Sequence, residues 1–456
     1  MKQLRIVIVC SLFALLPAIG QAQTGPEIFS LNECIEFAFQ NSLGVKNAVL
    51  DMESAEAKVG ETMSDGLPQI NGAIDYSNYF KIPNQFLPTI IFDPTAPEDS
   101  FTPVPFAQKY NASASINLSQ MVFDGSYFVG LKAARTFRQL STKDHVKTKV
   151  DVVEMVTKAY YAVLVSEEGL DLANNTFNRL DSLLRETTIM YENGFAEKID
   201  VNRITVQFNN IQVQQSRATE LLRLSYLLLK YQMGMPLSQP LKLQETIEDV
   251  RWQLEEYNLE KFDYSKRIEF SQLETSRDLA LLDLKNNQVQ YLPSLDFIAS
   301  VGSITATNEG DQLTDFNDRW FGSGLFGFTF NLPIFDGLRK SHIIQQNRTQ
   351  LAQIDNQFVD LKNAIDLEIQ RASSNLEIGI QNLKVQEENM LLADEVFRVT
   401  KIKYQEGIGS NLELVEADSD FKEAETNYFN ALYDALIAKV ELEKALGTLL
   451  DNHTTP

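Results

Sequence analysis

Cysteine is nearly missing from this chain, with two in 456 residues, Cys10 and Cys34. Cys10 lies in the apolar run "IVIVCSLFALLPAIG", which follows Lys2 and Arg5 and precedes the small-x-small site Gly20-Gln21-Ala22. That pattern predicts a secretory leader over residues 1–22, cut near Ala22. No Cys follows the run closely, so acylation at a new N-terminal Cys is not expected. Cys34 then stands alone, which excludes an internal disulfide in the mature chain and suits an inert apolar position on a helix. Histidine is scarce too. His145, His342 and His453 are scattered, with no Cys, Asp or Glu at ligand spacing, so no metal site is expected.

Other absences narrow the class further. After residue 23 no run supplies the ~20 apolar residues that a membrane helix needs. Ser and Asp are abundant, yet no nucleophile, base and orienter fall into a defensible set, so neither an enzyme nor a cofactor is expected. "FGSGLFGF" (321–328) contains G-x-G, but no helix opens behind it, and strand glycines explain it better than a phosphate cradle. Trp252 and Trp320 read as packing or interfacial aromatics. Positive charge is also short: 62 acidic against 40 basic residues leave a net charge of −22, and the leader takes Lys2 and Arg5 with it. Such a chain repels nucleic acid and anionic lipid surfaces, and it favours cations or cationic partners along any path it lines.

What the chain does contain is written twice. "GLPQINGAIDYS" (66–77) is similar to "YLPSLDFIASVG" (291–302), and "NLSQMVFDG" (117–125) to "NLPIFDG" (331–337). Phe123 pairs with Phe335, Gly194 with Gly407 and Gly234 with Gly447 at nearly constant separation. Two structural repeats are expected, 23–249 and 250–456. Each runs helix, strand, loop, strand, long helix, tight break and shorter helix, with a linker at 234–253. The first repeat is the longer, because of a segment at 81–105 with six prolines from Pro83 to Pro105, read as an extended external loop or a linker.

Strands are expected near 66–80, 108–120, 291–305 and 319–332. Tyr110, Ala112, Ala114, Ile116 and Leu118 alternate with Asn111, Ser113, Ser115, Asn117 and Ser119, and Phe326, Phe328 and Phe330 alternate with Gly327, Thr329 and Asn331. Ten-residue strands that are apolar on one face and small or polar on the other suit an outer-membrane barrel. An ordinary half-buried sheet alternates in the same way, but the leader and the long helices favour the barrel. Four strands cannot close a barrel, since about 8 is the smallest number that membrane barrels use, and an open edge in lipid leaves backbone groups unpaired. Copies must therefore share strands: three would supply twelve, and two or four also satisfy the constraint.

No proline falls between Ser126 and Glu192 or between Leu338 and Glu406. Helices of that length span ~100 Å at 1.5 Å per residue. Ile344, Leu351, Ile354, Phe358, Leu361 and Ile365 step as a coiled-coil seam. Shorter helices are expected over 197–233, 254–288, 410–447 and 31–64. Both long helices break alike, at "YENGFAEKIDVNR" (191–203) and "YQEGIGSNLELVE" (404–416). Gly194 and Gly407 let the chain reverse, because glycine reaches positive φ without steric cost. The acids that follow, Asp200, Glu413 and Glu416, sit in the first turns of the returning helices, where helix-dipole compensation alone contributes ~0.3–1 kcal/mol each.

The "SLNECIEFAFQNS" opening, the two "LP" strand entries, the two "FDG" turns, the "Y-x-x-G" breaks and the closing "ALGTLL" together resemble the TolC family of outer-membrane efflux and secretion channel proteins. The resemblance covers essentially the whole mature chain, through order, spacing and duplication rather than any single motif. It implies a mainly α protein with membrane β-structure. Each chain would contribute four strands to a homotrimeric twelve-stranded barrel in the outer membrane of a Gram-negative bacterium. A long antiparallel coiled-coil tunnel in the periplasm would continue that barrel.

The resemblance also implies a passive, non-enzymatic exit duct of a tripartite pump for drugs, small molecules or metal ions. Its partners would be a periplasmic membrane-fusion-type adaptor, an inner-membrane transporter and outer-membrane lipid. Asp200, Tyr404, Glu413 and Glu416 fall where family members place a periplasmic gate. Tyr191, Asn193, Gly194, Phe195, Gly407, Ile408 and Ser410 form the tip turns to which an adaptor would dock. Gly409 departs from the pattern, standing where a well-known member carries an arginine that braces the closed state. A type I protein secretion channel is the alternative. A non-conducting coiled-coil adaptor is disfavoured by the duplicated strands, and an α/β enzyme by the lack of ~12-residue crossovers.

Overall fold

The structure is a computed structural model that describes residues 27–251, 262–316 and 319–454. The leader at 1–22, Trp252 and the start of the helix expected over 254–288 lie outside the described residues.

The elements, in chain order, are β1 (Glu27–Phe29), α1 (Leu31–Asn41), α2 (Leu43–Ser64), β2 (Gln69–Asn78), β3 (Asn84–Pro88), β4 (Phe101–Pro105), β5 (Tyr110–Phe123) and α3 (Gly125–Glu192). They continue with α4 (Lys198–Met233), β6 (Leu241–Leu243), α5 (Ile247–Arg251), α6 (Ile268–Val289), β7 (Ser294–Thr307), β8 (Phe321–Asn331), α7 (Arg339–Gln405), α8 (Asn411–Leu446) and α9 (Leu449–Thr454). The proline-free stretches form α3 and α7, continuous helices of 68 and 67 residues. Nothing in either stretch interrupts the i→i−4 ladder. Among the described residues, no helix is long and apolar enough to cross a membrane.

Two compact units emerge, and each draws segments from both sequence repeats. Among the described residues, one comprises 27–38, 155–251 and 380–436; the other comprises 39–154, 262–316, 319–379 and 437–454.

The second unit holds a four-stranded antiparallel sheet in the order β2-β5-β7-β8. The ladder runs from Gln69↔Ser119 to Asn78↔Tyr110, from Tyr110↔Thr307 to Phe123↔Leu295, and from Ser294↔Asn331 to Ile304↔Phe321. A register shift between Met121 and Phe123 marks a bulge where β5 turns towards its helix. All four helix connections leave one end of the sheet, while the connections 79–109 and 308–320 lie at the other. Among the described residues, β2 pairs only with β5 and β8 only with β7, so both outer edges are open. Ile70, Ile74, Tyr76, Phe326, Phe328 and Phe330 are exposed, as one apolar face of a sheet with nothing packed on it.

The coiled-coil seam forms on α7: Ile354 and Ile365 are buried, and Ile344, Leu351, Phe358 and Leu361 are half-buried. Arg267 is buried in the same unit, paired with Glu269 at 3.0 Å and Glu368 at 2.9 Å, and its guanidinium also donates to the Ala445 carbonyl at 2.9 Å.

Three local features depart from the sequence expectations. The helix expected over 31–64 is divided at Ser42, whose extended backbone (φ −56°, ψ 130°) starts α2 afresh. The proline-rich segment, read as an extended external loop or a linker, contains a two-stranded hairpin, β3–β4, in register from Asn84↔Pro105 to Pro88↔Phe101. The linker 234–253 contains β6, which pairs in parallel with β1 through Glu27↔Leu241 to Phe29↔Leu243.

Candidate functional site: the helix breaks

The two breaks are built by one device. At the end of α3, Gly194 (φ +81°) donates to the Tyr191 carbonyl at 3.0 Å and Phe195 to the Met190 carbonyl at 2.7 Å. At the end of α7, Gly407 (φ +75°) donates to the Tyr404 carbonyl at 3.1 Å and Ile408 to the Lys403 carbonyl at 3.0 Å. This pair of bonds is the Schellman closure, which satisfies the last carbonyls of a helix and needs a left-handed residue at its centre. It recurs where α4 and α8 end, at Gly234 (φ +71°) and Gly447 (φ +72°). Asn193 reinforces the first break through its side chain, donating to the Ile189 carbonyl at 2.7 Å.

Gly409 packs against the backbone it follows. Its amide donates to the Lys403 carbonyl at 3.0 Å, and a Cβ there would come within 3.1 Å of Lys403 Cβ and the Tyr404 amide nitrogen. A side chain at 409 would therefore require its neighbours to shift by a few tenths of an ångström.

The sequence-identified residues divide by environment. Asp200 is the third residue of α4 and sits in a capping-box position: its Oδ2 accepts from the Glu197 amide at 3.2 Å, and its own amide donates to the Glu197 carbonyl at 3.0 Å. It also lies 3.5 Å from Arg203. This arrangement satisfies two amides at the start of α4. Glu413 and Glu416 are exposed in the first turns of α8, and the Glu413 amide donates to Ser410 Oγ at 3.2 Å. Tyr404 is buried, and its hydroxyl is 3.1 Å from Thr187 Oγ1 on α3. It belongs to an apolar cluster with Leu183, Ile204, Phe397 and Leu414. Tyr191, Phe195 and Ile408 are exposed at the turns themselves. Within this unit, then, Tyr404 faces inward while Glu413, Glu416 and the turn residues face solvent.

Three groups near the breaks were not identified from the sequence. Arg179 on α3 donates to Asp418 Oδ1 on α8 at 2.5 Å, and both side chains are largely buried. The guanidinium lies 5.0 and 5.5 Å from the Phe397 and Phe421 ring centres, and those two rings stack at 5.9 Å. Further along α8, burial pushes the Glu425 carboxyl up to about 7, against the pull of Arg179 and with help from Asp418, Asp394 and Glu168. Glu425 Oε2 has no hydrogen-bond partner. The only local signal for the first pair was an arginine set among apolar residues of the α3 stripe, at Phe177 and Leu180.

Cys34 is fully buried, and burial together with Glu245 and Glu33 pushes its thiol up to about 12, consistent with an inert thiol. Among the described residues, no group of His, Cys, Asp and Glu could hold a metal ion.

An antiparallel sheet with an unpacked apolar face and two open edges, joined to uninterrupted helices far longer than globular ones, defines an outer-membrane channel protein. The chain belongs to the outer membrane efflux protein family, whose model matches residues 34–235 and 265–448. It is 20% identical over 433 residues to the outer membrane protein TolC of Escherichia coli, covering 89% of this chain and 79% of that one. It is 21% identical over 339 residues to the TolC of Vibrio cholerae, covering 74% and 77%. It is 19% identical over 350 residues to the alkaline protease secretion protein AprF of Pseudomonas aeruginosa, covering 74% and 69%. In fold it matches CusC, described in connection with transmembrane channel formation, with a TM-score of 0.71 at 14% identity over 94% of this chain and 95% of that one. The family places the protein in the outer membrane, and a family of channels accords with a non-enzymatic role.

Proposed function

We propose that this protein is the passive outer-membrane exit duct of a tripartite efflux pump. Three copies share their sheets as a twelve-stranded barrel, and their helices continue it as a periplasmic tunnel. The observation that carries this reading is the pair of open edges at β2 and β8 on a sheet whose apolar face is bare. Unpaired edges in lipid cost several kcal/mol per backbone group, so the strands of other copies must complete them.

Asp200, Glu413 and Glu416 form an acidic ring at the periplasmic mouth in this reading, and Tyr404 holds its helix closed through Thr187. Repetition around a threefold axis would bring nine carboxylates to one aperture and make it selective for cations. The exposed turns, with Tyr191, Asn193, Phe195, Ile408 and Ser410, dock a membrane-fusion-type adaptor, which couples the duct to an inner-membrane transporter and opens the gate. The likeness to AprF favours a second reading, a type I protein secretion channel.

Expression in a Gram-negative host stripped of its own exit ducts separates the two. Restored resistance to small toxic compounds supports efflux. Export of a protein substrate with resistance unchanged contradicts the efflux reading and supports secretion.

A further inference from the structure

The β3–β4 hairpin carries an apolar face with nothing on it. Cross-strand partners share a face, so the pairs Asn84↔Pro105, Phe86↔Pro103 and Pro88↔Phe101 define one side, while Leu87 and Val104 belong to the other. Phe86 and Phe101 are 71% and 59% exposed, and Pro103 and Pro105 are exposed beside them, whereas Leu87 and Val104 are half-buried. A two-stranded ribbon is marginal in water unless something packs on it. Pro88, Pro103 and Pro105 supply no N–H, which weakens docking by strand addition and leaves side-chain contact with the open face.

Sheet order identifies what that contact meets. β2 and β8 are opposite edges of β2-β5-β7-β8, so wherever copies share a sheet, β8 of one lies beside β2 of the next. The hairpin leaves the far end of β2 after Asn78, and the connection 308–320 enters β8 at Phe321 at that same end. This connection presents a second apolar group. Phe316 is 70% exposed and stacks on Trp320 at 5.4 Å and 23°, while Trp320 Nε1 donates to the Leu313 carbonyl at 3.0 Å and fixes its ring. The start of the connection is tied to the residue just before its own β5, where the Lys109 amide donates to Asn308 Oδ1 at 3.0 Å. Its end enters β8, the sheet edge opposite β2.

We propose that the apolar face of the hairpin docks on the Phe316–Trp320 pair of an adjacent copy, forming an aromatic clasp between protomers at the outer end of the barrel. The inference rests on the shared-sheet reading above, so its test carries a separate check on that reading.

In a Cys34→Ala background, Asn84→Cys and Asp315→Cys place one thiol on each surface while sparing the aromatics. A flexible bismaleimide is expected to give covalent dimers and trimers with the double variant and none with either single one. Adding Phe86→Ser and Phe316→Ser should reduce that product several-fold. Asn71→Cys with Thr329→Cys, each two residues in from the helix end of its open edge strand, tests the shared sheet alone and should crosslink whether or not the aromatics are present. An edge pair that crosslinks while the clasp pair yields only monomer overturns the clasp and leaves the barrel standing. Failure of the edge pair as well overturns both.

Discussion

Asp418 accepts a hydrogen bond from Arg179 at 2.5 Å in a setting where both side chains are largely buried and two stacked phenyl rings flank the guanidinium. The pair fixes α8 against α3 near the helix breaks. Removing one partner of a buried pair strands the other charge, at about 3–5 kcal/mol. Asp418→Leu and Arg179→Met should therefore each destabilise the protein strongly, while the double variant Arg179→Met/Asp418→Leu recovers most of the loss. A double-mutant cycle in urea denaturation checks this; additive single effects would show that the two side chains do not interact.

The tyrosine at the second break makes a smaller and more local prediction. Tyr404→Phe keeps the buried ring and loses the hydroxyl contact with Thr187, an effect of about 1 kcal/mol. Its thermal midpoint should fall slightly, and single-channel opening should become more frequent. Thr187→Val, tested in the same way, should match it.

The four left-handed glycines that close α3, α4, α7 and α8 should not be equivalent. A left-handed backbone costs a non-glycine residue about 1–2 kcal/mol. Gly194→Ala and Gly407→Ala meet no other atom within 4 Å, whereas a Cβ at Gly447 would lie 2.6 Å from the Lys266 carbonyl oxygen. Gly447→Ala should thus lose clearly more stability than Gly194→Ala, as read from their thermal midpoints.

Glu425 makes stability depend on pH. Burial raises its carboxyl from an ordinary value of 4.5 to about 7, so the folded state binds the proton more tightly than the unfolded state does. Its contribution is complete below about 4.5 and is lost as pH rises through about 7. Glu425→Gln should flatten the fall in stability across that window while leaving the acid side little changed. Denaturation midpoints at a series of pH values measure it.

Much of this was legible because the signals are local and repeated. Gly194 and Gly407 announce the same closure within a few residues, proline-free stretches announce α3 and α7, and alternation announces β5 and β8. Arg179 and Asp418 escape such reading because their carriers lie far apart in sequence and meet only once α3 and α8 pack. The β1–β6 pair escapes for a related reason, since three-residue strands carry no periodicity of their own. The prolines in 83–105 read only as an extended loop or a linker, yet β3 and β4 tolerate them because each ribbon strand has a free side. Asp200 shows the opposite case: its sequence position suggested a gate acid, and the structure adds a capping role that any substitution there also removes.

Asp200, Glu413 and Glu416 are proposed to form an acidic, cation-selective aperture. Single-channel current across a planar bilayer under a salt gradient, comparing the purified oligomer with the Asp200→Ala/Glu413→Ala/Glu416→Ala variant, tests it most directly. A small cation-selective conductance that grows and loses selectivity in the variant is the predicted result. Conductance and selectivity unchanged in a folded variant would contradict the gate and leave Asp200 with its cap and Glu413 and Glu416 with the helix dipole.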